Sequence, residues 1–394
     1  MSPDDGPTTP SDRIASLDVL RGVAILGILL INVQAFSMPS IARTNPSQYG
    51  DFEGVNFAVW LLSHLFVEQK FITIFSLLFG AGVLLFTQRK GGAERSTLAL
   101  HYRRTFWLLV IGLVHAYLLW DGDILVIYAL CGAVIVATRH FPPSHLAVVG
   151  VGMMAFPFAV RMATVMQLES GAAIDFWTAS EETIRTELEI YRGSWAEQFD
   201  ERVASSFSVH TEQFLVYHFW RYGGTMVLGM ALFKWGVLSN DRSLGEYYRI
   251  LVGGFVGGLA LSGAGVVYLV GNDWSATAGV VWPQFNYWGS VLLALAYVAA
   301  VMIYCQRRPG ALVSRGLAAV GRTALSNYLF QTLVATTVFY GYGLGLFGHV
   351  SRVEQLGIVL AIWTVQVVLS VLWLRRYRYG PVEWAWRKLT YRTL

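Results

Sequence analysis

Long apolar stretches recur along the 394-residue chain, and they restrict its fold more than any other feature. About 20 apolar residues are needed to cross the hydrocarbon core of a bilayer. Hydrophobic residues make up 55% of the sequence and charged residues 14%, with a mean hydropathy of +0.50, which excludes an ordinary soluble globular class. Stretches of sufficient length predict ten spans, at 17–38, 69–87, 104–120, 123–139, 145–166, 213–238, 250–270, 284–305, 321–346 and 354–374.

The pattern predicts an all-α, polytopic transmembrane helix bundle of ten or eleven spans, built as a single domain over residues 13–394. Segment 55–67 is apolar but too short to cross, so we expect an amphipathic helix that lies at the interface or re-enters the membrane. The acidic segment 167–212 is predicted to form an extracytoplasmic helical cap, with a helix from Glu181 to Tyr191.

Basic residues predict the orientation of this bundle. Most of the 29 Lys and Arg residues fall on one side, including the tail 375–394, so the positive-inside rule places both termini in the cytoplasm and the protein in the plasma membrane. Residues 1–12 are rich in Pro, Asp and Thr and are predicted to be disordered. The net charge of +4 fits loops that face anionic lipid, so the lipid bilayer is the expected partner and nucleic acid is not. The oligomeric state is left open.

Motifs of soluble cofactor and metal sites are absent from the sequence. It has no His-x-x-x-His pair and no Cys-x-x-Cys pair, so we expect no metal. Gly254-x-x-x-Gly258 in the span at 250–270 indicates close helix packing rather than a phosphate-binding turn, because no strand precedes it.

Polar side chains inside spans mark candidate sites, because in hydrocarbon they cost free energy unless they are paired or line a wet cavity. Asp18 and Arg21 are three residues apart and can pair, and Asn32 returns to the same helical face 14 residues after Asp18. These residues indicate a polar stripe that faces a central cavity, with Arg21 near a cytoplasmic anionic ligand. A structural ion pair at the helix mouth is the alternative.

A short turn brings His115, Asp121 and Asp123 close together at the ends of two spans. A carboxylate beside a histidine suits general base catalysis, because it holds the tautomer and stabilises the imidazolium. Two acids beside one histidine would also suit proton coupling in a transporter. The structural alternative is a histidine that caps a helix end.

Three further groups of polar residues lie within or beside the spans. Arg161, His218 and Arg221, with neighbouring aromatic residues, indicate a pocket for an anionic or sugar-like ligand, or else arginines that snorkel to the interface. Asn327 and Gln331 either line the same cavity as Asn32 or join helices by hydrogen bonds. The third group comprises Arg103, Arg104 and Arg322. We expect these arginines either to bind the phosphates of a cytosolic cofactor or to anchor the bundle by the positive-inside rule.

Five runs of the sequence resemble those of the YeiB-like bacterial inner-membrane proteins. They are SLDVLRGVAILGILLINVQAF (16–36), KFITIFSLLFGAG (70–82), GLVHAYLLWDGDILVIYAL (112–130), GRTALSNYLFQTL (321–333) and GPVEWAWRKLT (380–390). The resemblance implies membership of a wider group of polytopic acyltransferases, which includes bacterial polysaccharide O-acetyltransferases and the lysosomal heparan N-acetyltransferase. It therefore implies transfer of an acyl group from cytoplasmic acyl-CoA to an acceptor on the far side. A histidine in or near the first external loop is implicated in that group, and the nearest equivalent here is His64 in the interfacial helix.

Two hypotheses follow. In the first, the protein is acyltransferase-like: His115 deprotonates a small-molecule or glycan-like acceptor, while Asp123 orients the imidazole and Asp121 lies beside it. Asn32, Gln331 or Arg221 would stabilise the oxyanion, and Asp18, Arg21, Arg104 and Arg322 would lie at the mouth that holds coenzyme A.

In the second hypothesis, a proton-coupled transporter or exporter of a small solute uses Asp18, Asp123 and His115 as a relay. A closed tunnel fed by arginines would favour the enzyme, whereas helices broken at the midplane would favour transport. Whether His64 or His115 is the functional histidine stays open.

Overall fold

The computed structural model describes residues 14–88, 94–169 and 176–391, which fold into helices without a strand among them. The α-helices are α1 (Ala15–Ser37), α2 (Ile41–Thr44), α3 (Gly54–Phe66), α4 (Lys70–Thr87), α5 (Glu94–Leu118), α6 (Leu125–Ile135), α7 (Pro143–Glu169), α8 (Glu181–Arg192), α9 (Phe199–His210), α10 (Gly224–Lys234), α11 (Leu244–Gly271), α12 (Ala276–Arg307), α13 (Leu312–Arg322), α14 (Ala324–Phe339), α15 (Arg352–Arg376) and α16 (Pro381–Tyr391). A 3-10 turn (Val136–Thr138) follows α6, and a π-helix (Phe214–Gly223) precedes α10. The all-α prediction is confirmed, and the segment 1–12 that was predicted to be disordered lies outside the described residues.

Six helices in the described parts of the chain are long and apolar enough to cross a membrane, so the predicted count of ten is not confirmed. They are Ala15–Ser37, Gly54–Thr87, Pro143–Val165, Leu244–Gly271, Ala276–Arg307 and Arg352–Arg376. The remaining predicted spans are helical as well, but α6 and α14 have only 11 and 16 residues. Polar residues occupy the first half of α5, and the π-helix divides the span predicted at 213–238.

Glycines allow neighbouring helices of the bundle to approach each other closely. An added Cβ at Gly22 of α1 would lie 2.0 Å from the carbonyl oxygen of Leu317 in α13. At Gly258 of α11 it would lie 2.8 Å from the carbonyl oxygen of Gly289 in α12. Small residues at helix crossings are the common packing device of membrane bundles. The glycine pattern of α11 therefore serves close packing, as the sequence predicts.

Segment 55–67, which was predicted to be a separate short helix, forms the first part of a broken helix that continues into α4. α3 and α4 are separated at residues 67–69, where Gln69 adopts a left-handed φ of 65°. Backbone carbonyls freed by such a break must find new partners inside a membrane bundle. Lys70 Nζ donates to the carbonyl of His64 at 2.5 Å, and the Tyr297 hydroxyl donates to that of Phe66 at 2.8 Å. Side chains of the bundle therefore satisfy the carbonyls that the break leaves without helical partners.

The two ends of the bundle are covered differently. At the end we call the capped end, Trp195 Nε1 donates to the carbonyl of Leu118, and Ser40 donates to the carboxylate of Glu187 in α8. The helix predicted at Glu181–Tyr191 is present there as α8, with Ser180 as its N-cap. At the opposite, terminal end, α16 packs against α5 and α14.

Candidate functional site

A cavity of about 310 Å³, the inner chamber, lies between α1, α3 and α12 near the break at residues 67–69. Its walls are Gly27, Ile28, Ile31, Asn32, Gln34, Ala42, Arg43, Trp60, Ser63, His64, Val67, Glu68, Gln69, Phe71, Ile72, Gly122, Ile124, Tyr222, Trp282 and Tyr328. The residues from α1 belong to its second half, so the chamber lies toward the capped end. The chamber therefore joins apolar walls to a few convergent polar groups, as ligand sites commonly do.

His64 is the titratable residue in the wall of the inner chamber that is best arranged for chemistry. The residue is 2% exposed, and Nδ1 lies 2.6 Å from Oε2 of Glu68, one helical turn later. Its Nε2 is buried and has no hydrogen-bond partner within the described chain. In the tautomer in which Nδ1–H donates to the Glu68 carboxylate, Nε2 carries the lone pair. That tautomer is the one oriented as a general base.

Aromatic rings and a buried lysine fix the position of His64. Its ring stacks on Trp60 at 5.8 Å and packs against Trp282 at 4.4 Å between ring centroids. Lys70 is fully buried and donates to both the His64 carbonyl and Oδ1 of Asn286, each at 2.5 Å. Lys70 thus ties α4 to α12 directly beneath the histidine.

His115 and Asp123 meet as predicted, but their atoms are engaged. His115 Nδ1 lies 2.7 Å from Asp123 Oδ1, and His115 Nε2 lies 2.9 Å from the hydroxyl of Thr332. The second oxygen of Asp123 accepts from the backbone N–H of Val126 at 2.8 Å. Asp121 instead accepts from the Ser205 hydroxyl at 2.6 Å. The predicted group of three therefore divides, and neither His115 nor Asp123 is part of the wall of the inner chamber.

The polar residues of α1 also divide between two places. Asp18 accepts from Arg21 at 2.9 Å near the start of the helix. Asn32, fourteen residues later and therefore about 21 Å away along the axis, lines the inner chamber. The predicted stripe is therefore divided between two places: the Asn32 amide lies at the inner chamber, and the Asp18–Arg21 ion pair lies at the terminal end.

The predicted pocket of basic residues is spread over several surroundings. Arg161 is exposed and lies over the Phe176 ring at 5.3 Å, and His218 stacks on Tyr222. Arg221 is 2% exposed, and its Nη2 donates to Ser290 at 2.9 Å. These three side chains do not converge on one cavity.

The amides of α14 join helices. Asn327 Nδ2 donates to the Ser370 hydroxyl at 3.0 Å, and Gln331 Nε2 donates to Oε1 of Gln366 at 3.1 Å. Gln331 also donates to the backbone of Ile25 in α1. The alternative that these side chains join helices therefore accounts for their contacts.

The arginines predicted to bind a cytosolic cofactor lie at the terminal end and have contacts within the protein. Arg104 lies between the rings of Phe86 and Trp386, at 4.9 and 4.6 Å. Arg322 Nη2 donates to the carbonyl of Arg378 at 3.2 Å, and Arg103 is half-buried beside Arg104. Neither of the two cavities described here includes these arginines in its wall.

A second cavity of about 530 Å³, the outer cavity, opens under α8 and α9. Arg43 and Gly122 line both cavities, so the outer cavity adjoins the inner chamber. The outer cavity contains four carboxylates, from Asp121, Glu182, Glu187 and Glu201. Burial raises the pKa of Glu187, although hydrogen bonds from Ser40 and the charge of Arg43 act against that rise.

Sequence reasoning missed three residues that shape the inner chamber: Glu68, Lys70 and Trp282. The i, i+4 spacing of His64 and Glu68 was a signal, because side chains at that spacing meet on one face of a helix. No such signal exists for Lys70 with Asn286 or for His64 with Trp282, since both pairs are separated by more than 200 residues.

Comparison with known proteins identifies full-length bacterial relatives. A family model described as "Protein of unknown function (DUF418)" matches residues 232–393. "Uncharacterized protein YeiB" from Escherichia coli strain K12 is 33% identical over 97% of each chain. "Uncharacterized protein YxaH" from Bacillus subtilis strain 168 is 33% identical over 98% of this chain and 96% of that protein. An "Uncharacterized 39.9 kDa protein in amylase 3'region" from Bacillus acidopullulyticus is 26% identical over 98% and 96%.

Proposed function

The chain belongs to the YeiB-like family of bacterial proteins of unknown function, and from there we propose that it is a membrane-bound acyltransferase with His64 as its general base. The observation that carries the proposal is the unpartnered Nε2 of His64, which is buried in the wall of the inner chamber and oriented by Glu68. The resemblance to polytopic acyltransferases, in which a histidine near the first external loop is implicated, supports the same residue. The proposal moves the base from His115 to His64.

The reaction is transfer of an acyl group from acyl-CoA to a small-molecule or glycan-like acceptor. Nε2 of His64 takes the proton of the acceptor as the acceptor atom forms a bond to the thioester carbonyl carbon. The carboxylate of Glu68, 2.6 Å from Nδ1, stabilises the imidazolium that results. The C–S bond then breaks, and the imidazolium returns the proton to the departing thiolate. The products are the acylated acceptor and free coenzyme A.

The two substrates would approach from opposite ends of the bundle. The acceptor would enter through the outer cavity, past Arg43 and Gly122, which line both cavities. Coenzyme A would bind at the terminal end, where Arg21, Arg104 and Arg322 lie. In this proposal the terminal end is cytoplasmic and the capped end extracytoplasmic, as the positive-inside rule predicts.

The proposal is tested with the purified protein in lipid nanodiscs and radiolabelled acetyl-CoA, by following label that leaves the donor and by calorimetry of acetyl-CoA binding. General base catalysis is worth about 10² to 10⁴ in rate, so His64→Gln should lose at least a hundredfold. His115→Gln is the matched control, because His115 is a buried histidine that is also hydrogen-bonded to a carboxylate but is not part of the chamber wall. Absence of acetyl-CoA binding, or full turnover in His64→Gln, would refute the proposal.

A second candidate function, proton-coupled transport, is favoured by the break between α3 and α4. Broken helices that place ionisable groups within the membrane are common at transporter sites. Here the break holds Glu68 next to His64 and Lys70. A flux of solute in proteoliposomes that follows an imposed pH gradient and is abolished by Glu68→Gln would support transport. A flux that ignores the gradient would count against it.

A further inference from the structure

Three buried side chains in the wall of the inner chamber present hydrogen-bonding atoms that no described residue satisfies: Nε2 of His64, Nε1 of Trp282 and the hydroxyl of Tyr328. The first two belong to neighbouring residues, which are 2% and 4% exposed. Both residues line the same chamber, and their ring centroids are 4.4 Å apart. Buried polar atoms normally have partners, because a hydrogen bond left unmade inside a protein costs free energy. The pair therefore points to a ligand that supplies both partners.

The two atoms have complementary roles. The indole N–H of Trp282 is a donor and has no acceptor capacity. Nε2 of His64 is an acceptor when Nδ1–H donates to Glu68. A hydroxyl group satisfies both, because it donates its proton to Nε2 while its oxygen accepts from the indole. An ammonium group can donate to Nε2 but has no lone pair for the indole N–H.

The charged side chains in the wall of the inner chamber do not decide between a neutral and a cationic ligand. Apart from His64, the charged residues of the wall are Arg43 and Glu68, which carry opposite charges. Lys70 and Arg221 lie behind the wall, where Lys70 donates to the backbone of His64 and Arg221 approaches Gln69 at 3.5 Å. The preference for a hydroxyl therefore rests on the hydrogen-bonding roles of His64 and Trp282.

We propose that the inner chamber is a hydroxyl-binding site, in which Trp282 Nε1 and His64 Nε2 together select an alcohol over an alkylammonium ion as the acceptor. This inference rests on the proposed function in so far as the bound hydroxyl is the group that His64 deprotonates. Trp282 is then a specificity-determining residue, since its N–H can donate only to a group with a lone pair. The ester, rather than the amide, would be the product.

The experiment measures carbethoxylation of His64 by diethylpyrocarbonate, which reacts with the free nitrogen of a neutral imidazole. The purified protein in nanodiscs is treated at pH 6.5, and the peptide that contains His64 is quantified by mass spectrometry. The probes are 1-hexanol and hexylammonium chloride, which share a chain and differ in the head group. Hexanol should slow the modification in proportion to occupancy, and hexylammonium should not.

Variants separate the contribution of the indole N–H from that of the ring. Trp282→Phe keeps an aromatic wall but removes the donor, so the hexanol concentration for half-protection should rise about fivefold, the value of one ordinary hydrogen bond. Trp373→Phe is the matched control, because its N–H already donates to the carbonyl of Tyr379. Equal protection by hexylammonium, unchanged protection in Trp282→Phe, or an unreactive His64 without any probe would each overturn the inference.

The outcome is distinguishable from failure of the proposed function. If hexanol protects selectively while the acetyl-CoA assay shows no transfer, the hydroxyl site stands and the acyltransferase proposal falls. If transfer occurs but hexylammonium protects as well as hexanol does, the enzyme stands and the selectivity falls.

Discussion

Replacing Lys70 by Met should destabilise the protein by about 2 kcal/mol, because the lysine holds the break between α3 and α4 together. The Nζ group of Lys70 is fully buried and donates to the His64 carbonyl and to Asn286 Oδ1. Methionine has a similar length and removes both donors. The His64 carbonyl then loses the partner that the break requires, which costs about 1–3 kcal/mol for a buried acceptor.

Two further effects adjust this magnitude. Asn286 Oδ1 keeps a second donor, the Ser262 hydroxyl at 3.0 Å. The hydrogen bond that Asn286 loses therefore costs less free energy than the one that the His64 carbonyl loses. Removing a buried polar group also removes its desolvation cost, which offsets part of the penalty. The expected net loss of stability is therefore about 2 kcal/mol, close to the cost of leaving one buried carbonyl, that of His64, without a hydrogen-bond donor.

The measurement is reversible unfolding by sodium dodecyl sulfate in mixed micelles, followed by tryptophan fluorescence. Lys388→Met is the matched control, because Lys388 is exposed on α16 and should change the unfolding free energy by no more than about 0.5 kcal/mol. If Lys70→Met were as stable as the wild type, the account of the break as a lysine-clamped feature would be refuted. Faster reaction of His64 with diethylpyrocarbonate in the variant would confirm that the lysine also positions the histidine.

Two further predictions concern packing and pH. Gly258→Ala should destabilise the protein by about 1–3 kcal/mol, because the added Cβ would lie 2.8 Å from the carbonyl oxygen of Gly289. Gly253→Ala on the same helix is the control and should be neutral or stabilising, because its Cβ would have no atom within 4 Å. Equal unfolding free energies for the two variants would contradict the packing of α11 on α12. Burial raises the pKa of Glu383, which caps α14 by accepting from the backbone of Leu325. An acid whose folded-state pKa is raised contributes stability at low pH that is lost as the pH rises above about 4.5 and through the raised value. Glu383→Gln should flatten this slope in unfolding measured between pH 4 and 7, and an unchanged slope would exclude Glu383 as its source.

Pairs close in sequence were predictable, because helix and turn geometry fixes them. Asp18 with Arg21 and His115 with Asp123 both form as their spacing predicts. His64 with Glu68 has the same kind of spacing, but a 13-residue apolar helix favoured an interfacial position, which hid the continuation into α4. The span count exceeded the six qualifying helices for three reasons: α6 and α14 are short, a π-helix divides one predicted span, and polar residues occupy the first half of α5.

The amino-acid sequence by itself determined a helical membrane bundle, since its apolar stretches can satisfy their backbone in lipid only as helices. It also determined the local ion pairs and the glycine-mediated contact of α11. Only the tertiary structure decided which polar groups share a cavity. Lys70 reaches Asn286 across 216 positions, and His115 reaches Thr332 across 217, because helix packing brings them together. That packing satisfies both nitrogens of His115 and leaves Nε2 of His64 free in the chamber.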